Sequence, residues 1–190
     1  RLIGALIMTH SDDAGLVLPP KAAPVQVVIV PIQPKKNDIE GKAAMEEALD
    51  KLTANLKAAG LRVKVDDRDY VRNGAKYFEY ERKGVPLRIE LGPRDLAKGE
   101  CVFKYRVGEE GKIPTTLTDA ASAAVAGLDI MQQKLYDNAA QRLLDRTNTG
   151  ATYQEMRDSL EGDEAGEFMG AGLYLVPWKC DAENEDKIKE

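Results

Sequence analysis

Hydrophobic positions along the chain fall into short apolar runs separated by stretches of helical spacing. Leu2 to Met8 is an apolar run that predicts a buried strand, and the turn at Leu18-Pro19-Pro20 follows, since proline cannot continue a central strand. Val25 to Ile32 is continuously apolar, the pattern of a strand buried on both faces. Asp38 is suited to cap a helix. After it Ile39, Ala43, Ala44, Ala48, Leu49, Leu52, Leu56 and Ala59 recur near a 3.6-residue period, and Gly60 follows where a helix-ending glycine belongs. Leu61 to Val65 alternates as a second strand. A short helix is predicted over 75–82, ended by Gly84, then a third strand from Val85 to Leu91 that stops at Gly92-Pro93. Strand alternation puts Arg88 and Glu90 on one face and Leu87, Ile89 and Leu91 on the other.

Cys101 to Val107 and Lys112 to Thr116 predict an outer strand pair joined by a turn over 108–111. The strand–helix–strand opening should be parallel, and the later strands are close enough in sequence for hairpin pairing, so a mixed sheet is expected. Thr118 to Arg146 is a long helical stretch whose apolar side reads as packing. Thr152 with Glu155 forms a capping-box pattern ahead of a helix to Leu160. Leu173 to Trp178 reads as a strand, and Ala182 to Glu190 as the start of a helix. The fold class is therefore α/β, a mixed sheet with flanking helices, followed by a small α+β region.

Composition narrows the possibilities. A chain of 190 residues, 43% hydrophobic, can bury one or two small cores. No apolar run approaches the roughly 18–20 residues of a membrane-spanning helix, and the opening lacks a signal-peptide pattern. The two cysteines, Cys101 and Cys180, make no disulfide framework, and a cytoplasmic compartment is the default. His10 is the sole histidine and reads as a strand-end residue with a hydrogen-bonded ring rather than a catalytic group. The chain has no initiator methionine and stops inside a helical pattern, as a piece of a longer protein would. There is no glycine-loop phosphate cradle.

Charge singles out one stretch. Twelve basic and eight acidic residues lie between Arg62 and Arg106, although the whole chain carries a net charge of −5. Arg and Lys neutralise phosphates and donate to guanine O6 and N7, whereas carboxylates repel phosphate but accept the protons on a guanine Watson–Crick edge. Aromatic rings stack on splayed bases. Arg, Glu, Asp and aromatic residues interleaved from Asp66 to Leu96 suit base reading in a single-stranded RNA loop better than duplex clamping. On composition alone the same stretch reads first as a solvated helix face with ordinary ion pairs.

The combination of LPPKAAP with QVVIVPI, then DDRD, KYFEYERKGVP and LRIELGPRDL resembles the anticodon-binding domain of class II aminoacyl-tRNA synthetases. More narrowly it resembles prolyl-tRNA synthetases of the type shared by archaea, eukaryotes and some bacteria. The likeness runs over essentially the whole chain. It implies that residues 1–23 end a catalytic domain and lead out of it, with Arg1 matching an ATP-binding arginine. It implies an anticodon-binding domain over 24–117, and a connecting helix with a truncated C-terminal domain over 118–190. The expected anticodon-binding residues are Arg68, Lys76, Phe78, Glu79, Glu81, Arg88, Glu90 and Arg94, with Tyr77, Phe78 and Tyr80 as stacking candidates. The parent enzyme would use ATP, magnesium and proline to charge tRNA(Pro) and would work as a homodimer. This chain would be catalytically incomplete, because a single strand builds no active site.

The C-terminal domain of such enzymes often carries a four-cysteine zinc site. Here Lys179 and Asn184 stand where the first cysteine pair is expected and Cys180 is one place out of step, so no zinc is expected in this chain. The alternative is a non-catalytic accessory or regulatory module that reuses the fold for protein contacts. The leading RLIGALIM speaks against it, because an independent module has no need of a broken catalytic motif.

Overall fold

A computed structural model describes residues 1–34, 37–108, 111–161, 172–177 and 182–189. The chain forms two compact units, Arg1–Leu135 and Tyr136–Glu190.

The first unit opens with helix α1, Leu2–Thr9, where a strand was expected. A strand needs a neighbour to pair with, whereas a helix satisfies its own backbone. The bonds Ala5 N–H to Arg1 O (2.9 Å) and His10 N–H to Leu6 O (2.8 Å) are of that local kind. The helix buries none of its residues. His10 accordingly ends a helix rather than a strand, and its backbone rather than its ring makes the bonds found among the described residues. A small hairpin follows, β1 (Ser11–Asp12) antiparallel to β2 (Gly15–Leu16). The expected proline turn is next, closed by Ala22 N–H donating to Pro19 O.

A five-stranded mixed sheet is the body of this unit. Its strands are β3 (Val27–Pro31), β4 (Val63–Val65), β5 (Leu87–Leu91), β6 (Glu100–Tyr105) and β7 (Ile113–Thr116), in the order β4-β3-β5-β6-β7. β4 and β5 both run parallel to β3, and the last two strands are antiparallel additions. Every residue of β3 is buried, as its unbroken apolar run requires of a central strand.

Helix α2 (Ile39–Ala58) starts where the Asp38 carboxylate accepts from Gly41 N–H at 2.8 Å, and Gly60 follows its end at φ +81°. Its Met45, Leu52 and Leu56 join Ala120, Ala124 and Leu128 of helix α5 (Ala120–Asp145) on one face of the sheet. There they pack with Val27, Ile29, Leu87, Ile89, Leu91 and Phe103. Helix α3 (Asn73–Arg82) covers the other face through Tyr80 and Tyr77, packed with Val28 and Val30. The alternation expected in β5 holds, because Leu87, Ile89 and Leu91 enter the first core while Arg88 and Glu90 pair in register with Val28 and Val30.

One helix was not visible in the sequence pattern: Gly92-Pro93-Arg94 opens α4, Pro93–Lys98, instead of a simple turn. Proline is tolerated at the first helical position, and the Asp95 carboxylate accepts from Gly92 N–H at 3.1 Å.

In the second unit β8 (Thr147–Thr149) and β9 (Leu173–Leu175) form a parallel pair, with α6 (Tyr153–Glu161) between them in sequence and α7 (Ala182–Lys189) after. The Thr152–Glu155 capping box is present, with Thr152 N–H and hydroxyl both donating to the Glu155 carboxylate at 2.7 and 2.9 Å. Lys179 and Cys180 lie outside the described residues.

Candidate functional site

The chain after β3 goes first to β4 on one side and then to β5 on the other. The carboxyl ends of these parallel strands thus form a switch point, the place where open α/β sheets meet ligands. The loop 66–72 leaves β4 there, and Gly92-Pro93-Arg94 leaves β5. Helix α3, between these strands in sequence, lines the same side of the sheet as Arg88 and Glu90.

At the end of β4, Asp66 is only 2% exposed. Its carboxylate accepts a two-pronged contact from Arg68, Nε at 2.8 Å and Nη2 at 2.6 Å. Lys76, equally buried, donates to the Asp66 carbonyl at 3.0 Å and stands 3.7 Å from its carboxylate. Arg68 reaches on to Glu79 at 2.8 Å, and Glu79 takes Lys83 at 2.6 Å. The Arg68 guanidinium is the main cause holding the Asp66 carboxyl well below its usual range. Lys83 first and Arg68 second lower Glu79 to about 2. The Tyr80 hydroxyl is buried beside the Asp66 carboxylate. Burial first, and the neighbouring Asp66 carboxylate next, push it up to about 12.

A second group gathers on β5. Glu90, 2% exposed, accepts from Arg88 at 3.1–3.2 Å and from Lys112 at 2.5 Å. The Arg88 guanidinium lies over the Tyr77 ring at 4.1 Å, a cation–π distance. Burial, and then the Glu90 charge, raise the Tyr77 phenol to about 12.

These networks sort the expected residues by what hydrogen-bonding capacity remains. Lys76 and Glu90 are buried and spent on neighbours, and Arg68 and Glu79 are struts in the Asp66 chain. Tyr80 belongs to the core, not to a stacking surface. Glu81 and Arg88 come together with Lys104, Val85 and Arg106 around one small hollow of about 100 Å³. The Glu81 carboxylate and the Lys104 ammonium make no hydrogen bond or ion pair among the described residues. Arg94, exposed on the first turn of α4, is likewise unpaired among them. Phe78 is 73% exposed and lines a separate open hollow of about 650 Å³ with Ala14, Glu79, Arg82 and Lys83. Arg1 is exposed at the start of α1, in neither group.

The sequence missed Asp66 and Lys112, which organise these groups, and Lys104, which lines the hollow. Only the pairing of β6 opposite β5, with Lys104 in register with Arg88, was available to find the last of them. Among the described residues no cluster of three or more metal-ligating side chains occurs.

A carboxylate and cations around one small hollow, with Phe78 exposed on the same helix as Glu81, offer acceptors and donors of the kinds that base edges pair with. The family model for the anticodon binding domain matches residues 26–124, and the chain belongs to that family. Its full length is similar to proline–tRNA ligases, 46% identical to that of Deinococcus radiodurans and 44% identical to that of a Roseiflexus species. The chain spans only 36% and 37% of those two relatives. A solved prolyl-tRNA synthetase from Cryptosporidium parvum, complexed with L-proline and AMP, superimposes with a TM-score of 0.83 at 36% identity. That match covers 98% of this chain and 38% of the other.

Proposed function

We propose that this chain is the anticodon-reading part of a proline–tRNA ligase and selects tRNA(Pro) by the two adjacent guanines of its anticodon. The observation that carries this is the Glu81–Arg88–Lys104 hollow in a chain of the anticodon-binding family. Glu81 accepts the N1 and N2 protons of a guanine, a role no cation can fill. Arg88 and Lys104 donate to O6 and N7. Arg94 reads or anchors at the switch point, and Phe78 offers a stacking face. Arg68, Lys76, Glu79 and Glu90 act through these groups by holding β4, α3 and β5 in place.

The whole enzyme would activate proline with ATP and magnesium on a catalytic part outside this chain. There Arg1 contributes to the ATP site, and the enzyme works as a cytoplasmic homodimer. Alone, this chain binds tRNA without charging it.

The test is binding to proline tRNA against the same tRNA with both anticodon guanines replaced, at one fixed salt concentration. Preference for the intact anticodon should be roughly tenfold or more, equivalent to about 1.4 kcal/mol. Equal affinity for the two would end this reading.

A further inference from the structure

Arg106, just past the end of β6, is a wall of the Glu81 hollow, and its guanidinium bonds both to the N-terminal hairpin and to α3. Its side chain is 5% exposed. It forks onto the Asp12 carboxylate of the β1–β2 hairpin, with Nη1 to Oδ2 at 2.8 Å and Nη2 to Oδ1 at 2.5 Å. Its Nε donates to two carbonyls, Leu16 O at 2.9 Å in the hairpin and Glu81 O at 3.0 Å in α3. Nη2 also donates to Gly15 O at 3.3 Å. One side chain therefore ties a segment ninety or so residues upstream to the backbone of the residue whose carboxylate lines the hollow.

Two glycines show how closely these parts meet. A Cβ on Gly15 would stand 2.5 Å from Arg82 Cα, and one on Gly84 would stand 2.7 Å from Leu16. Both have positive φ, +132° and +70°, a region L side chains rarely adopt. Leu18 N–H donates to Gly84 O at 3.2 Å, adding a backbone bond across the same seam.

We propose that Arg106 is a positioning residue: by gripping Asp12 it clamps the N-terminal hairpin onto the end of α3 and thereby fixes where Glu81 presents its carboxylate. The clamp stands on geometry alone, and its effect on base choice rests on the anticodon reading above. A segment that precedes the domain in sequence is in this way coupled to the group that reads.

Asp12 is the place to test it, because its side chain is 45% exposed and is not itself one of the residues lining the hollow, so Asp12→Ala leaves the core intact. Asp13→Ala is the control, since Asp13 is exposed and makes no contact of these kinds among the described residues. Amide hydrogen exchange of the whole chain is the first readout. Lys83 and Gly84 N–H close the end of α3 on Glu79 O and Glu81 O. In Asp12→Ala both should exchange roughly fivefold faster or more, and in Asp13→Ala at the parent rate. The second readout is the ratio of affinities for intact and guanine-replaced proline tRNA. It should fall about threefold or more in Asp12→Ala through weaker binding of the intact anticodon, and Arg106→Met should reproduce both effects. Faster exchange confined to the hairpin overturns the proposal, and so does an unmoved affinity ratio once the end of α3 has loosened. If the parent chain shows no anticodon preference, the functional reading fails, and the exchange data alone decide whether the clamp positions Glu81.

Discussion

Asp66 has two cations to satisfy and is buried with one of them. Replacing it with alanine strips Arg68 of its fork and leaves the Lys76 ammonium, 3% exposed, facing only a carbonyl. Removing one member of a buried ionic group leaves an uncompensated charge, so Asp66→Ala should lower unfolding stability by about 3 kcal/mol, read from the urea midpoint. Glu79 makes a different forecast. Its carboxyl is held at about 2 in the fold, against an ordinary value of 4.5. A carboxylate depressed by folding stabilises at pH above its unfolded value and loses that contribution as pH falls through its folded value. The thermal midpoint of Glu79→Gln should therefore lie below the parent's at pH 7, and the gap should close between about 4.5 and about 2. A gap constant across that range would mean the Lys83 and Arg68 contacts carry no net stabilisation. Neither residue's part was legible from composition, because an acidic side chain looks the same in sequence whether it is solvated or pinned between two cations.

Among the elements, local chemistry was legible wherever it was sufficient. The Asp38 cap, Gly60 beyond it and the Thr152–Glu155 box were all readable from a few adjacent residues, and all are formed. Asp38→Ala should cost about 1 kcal/mol, seen as loss of amide protection concentrated in the first turn of α2. Loss spread evenly over the helix would instead point to tertiary packing as the determinant of that end. Leu2 to Met8 was misread because a short apolar run does not distinguish a strand from a helix; the presence of a pairing partner does. Helix α4 escaped for a related reason. Pro93 looks like a strand terminator, yet the same residue is favoured at the start of a helix once Asp95 caps it.

For the molecule as a whole, binding to tRNA should separate into two contributions. On the proposed reading, exposed cations such as Arg72 and Arg82 would meet phosphates, and the hollow would meet bases. With about three phosphate contacts to single-stranded RNA, log affinity should fall with log salt at a slope of about −2. That slope should be the same for intact and guanine-replaced anticodons, since base-edge contacts release no counterions, and a preference that disappears at high salt would place discrimination in the phosphate contacts. From β3 to α5 the order of strands and helices, α4 excepted, the mixed sheet and the two faces of β5 were written in periodicity and residue type, because those depend largely on neighbours within a few positions. Tertiary structure alone decided which of the charged residues are spent and which are available. It set Lys104 beside Arg88, buried Glu90 between Arg88 and Lys112, and carried Asp12 to Arg106. Those pairings join residues far apart in the chain, and the free energy of a charge depends on what stands within a few ångströms of it in space.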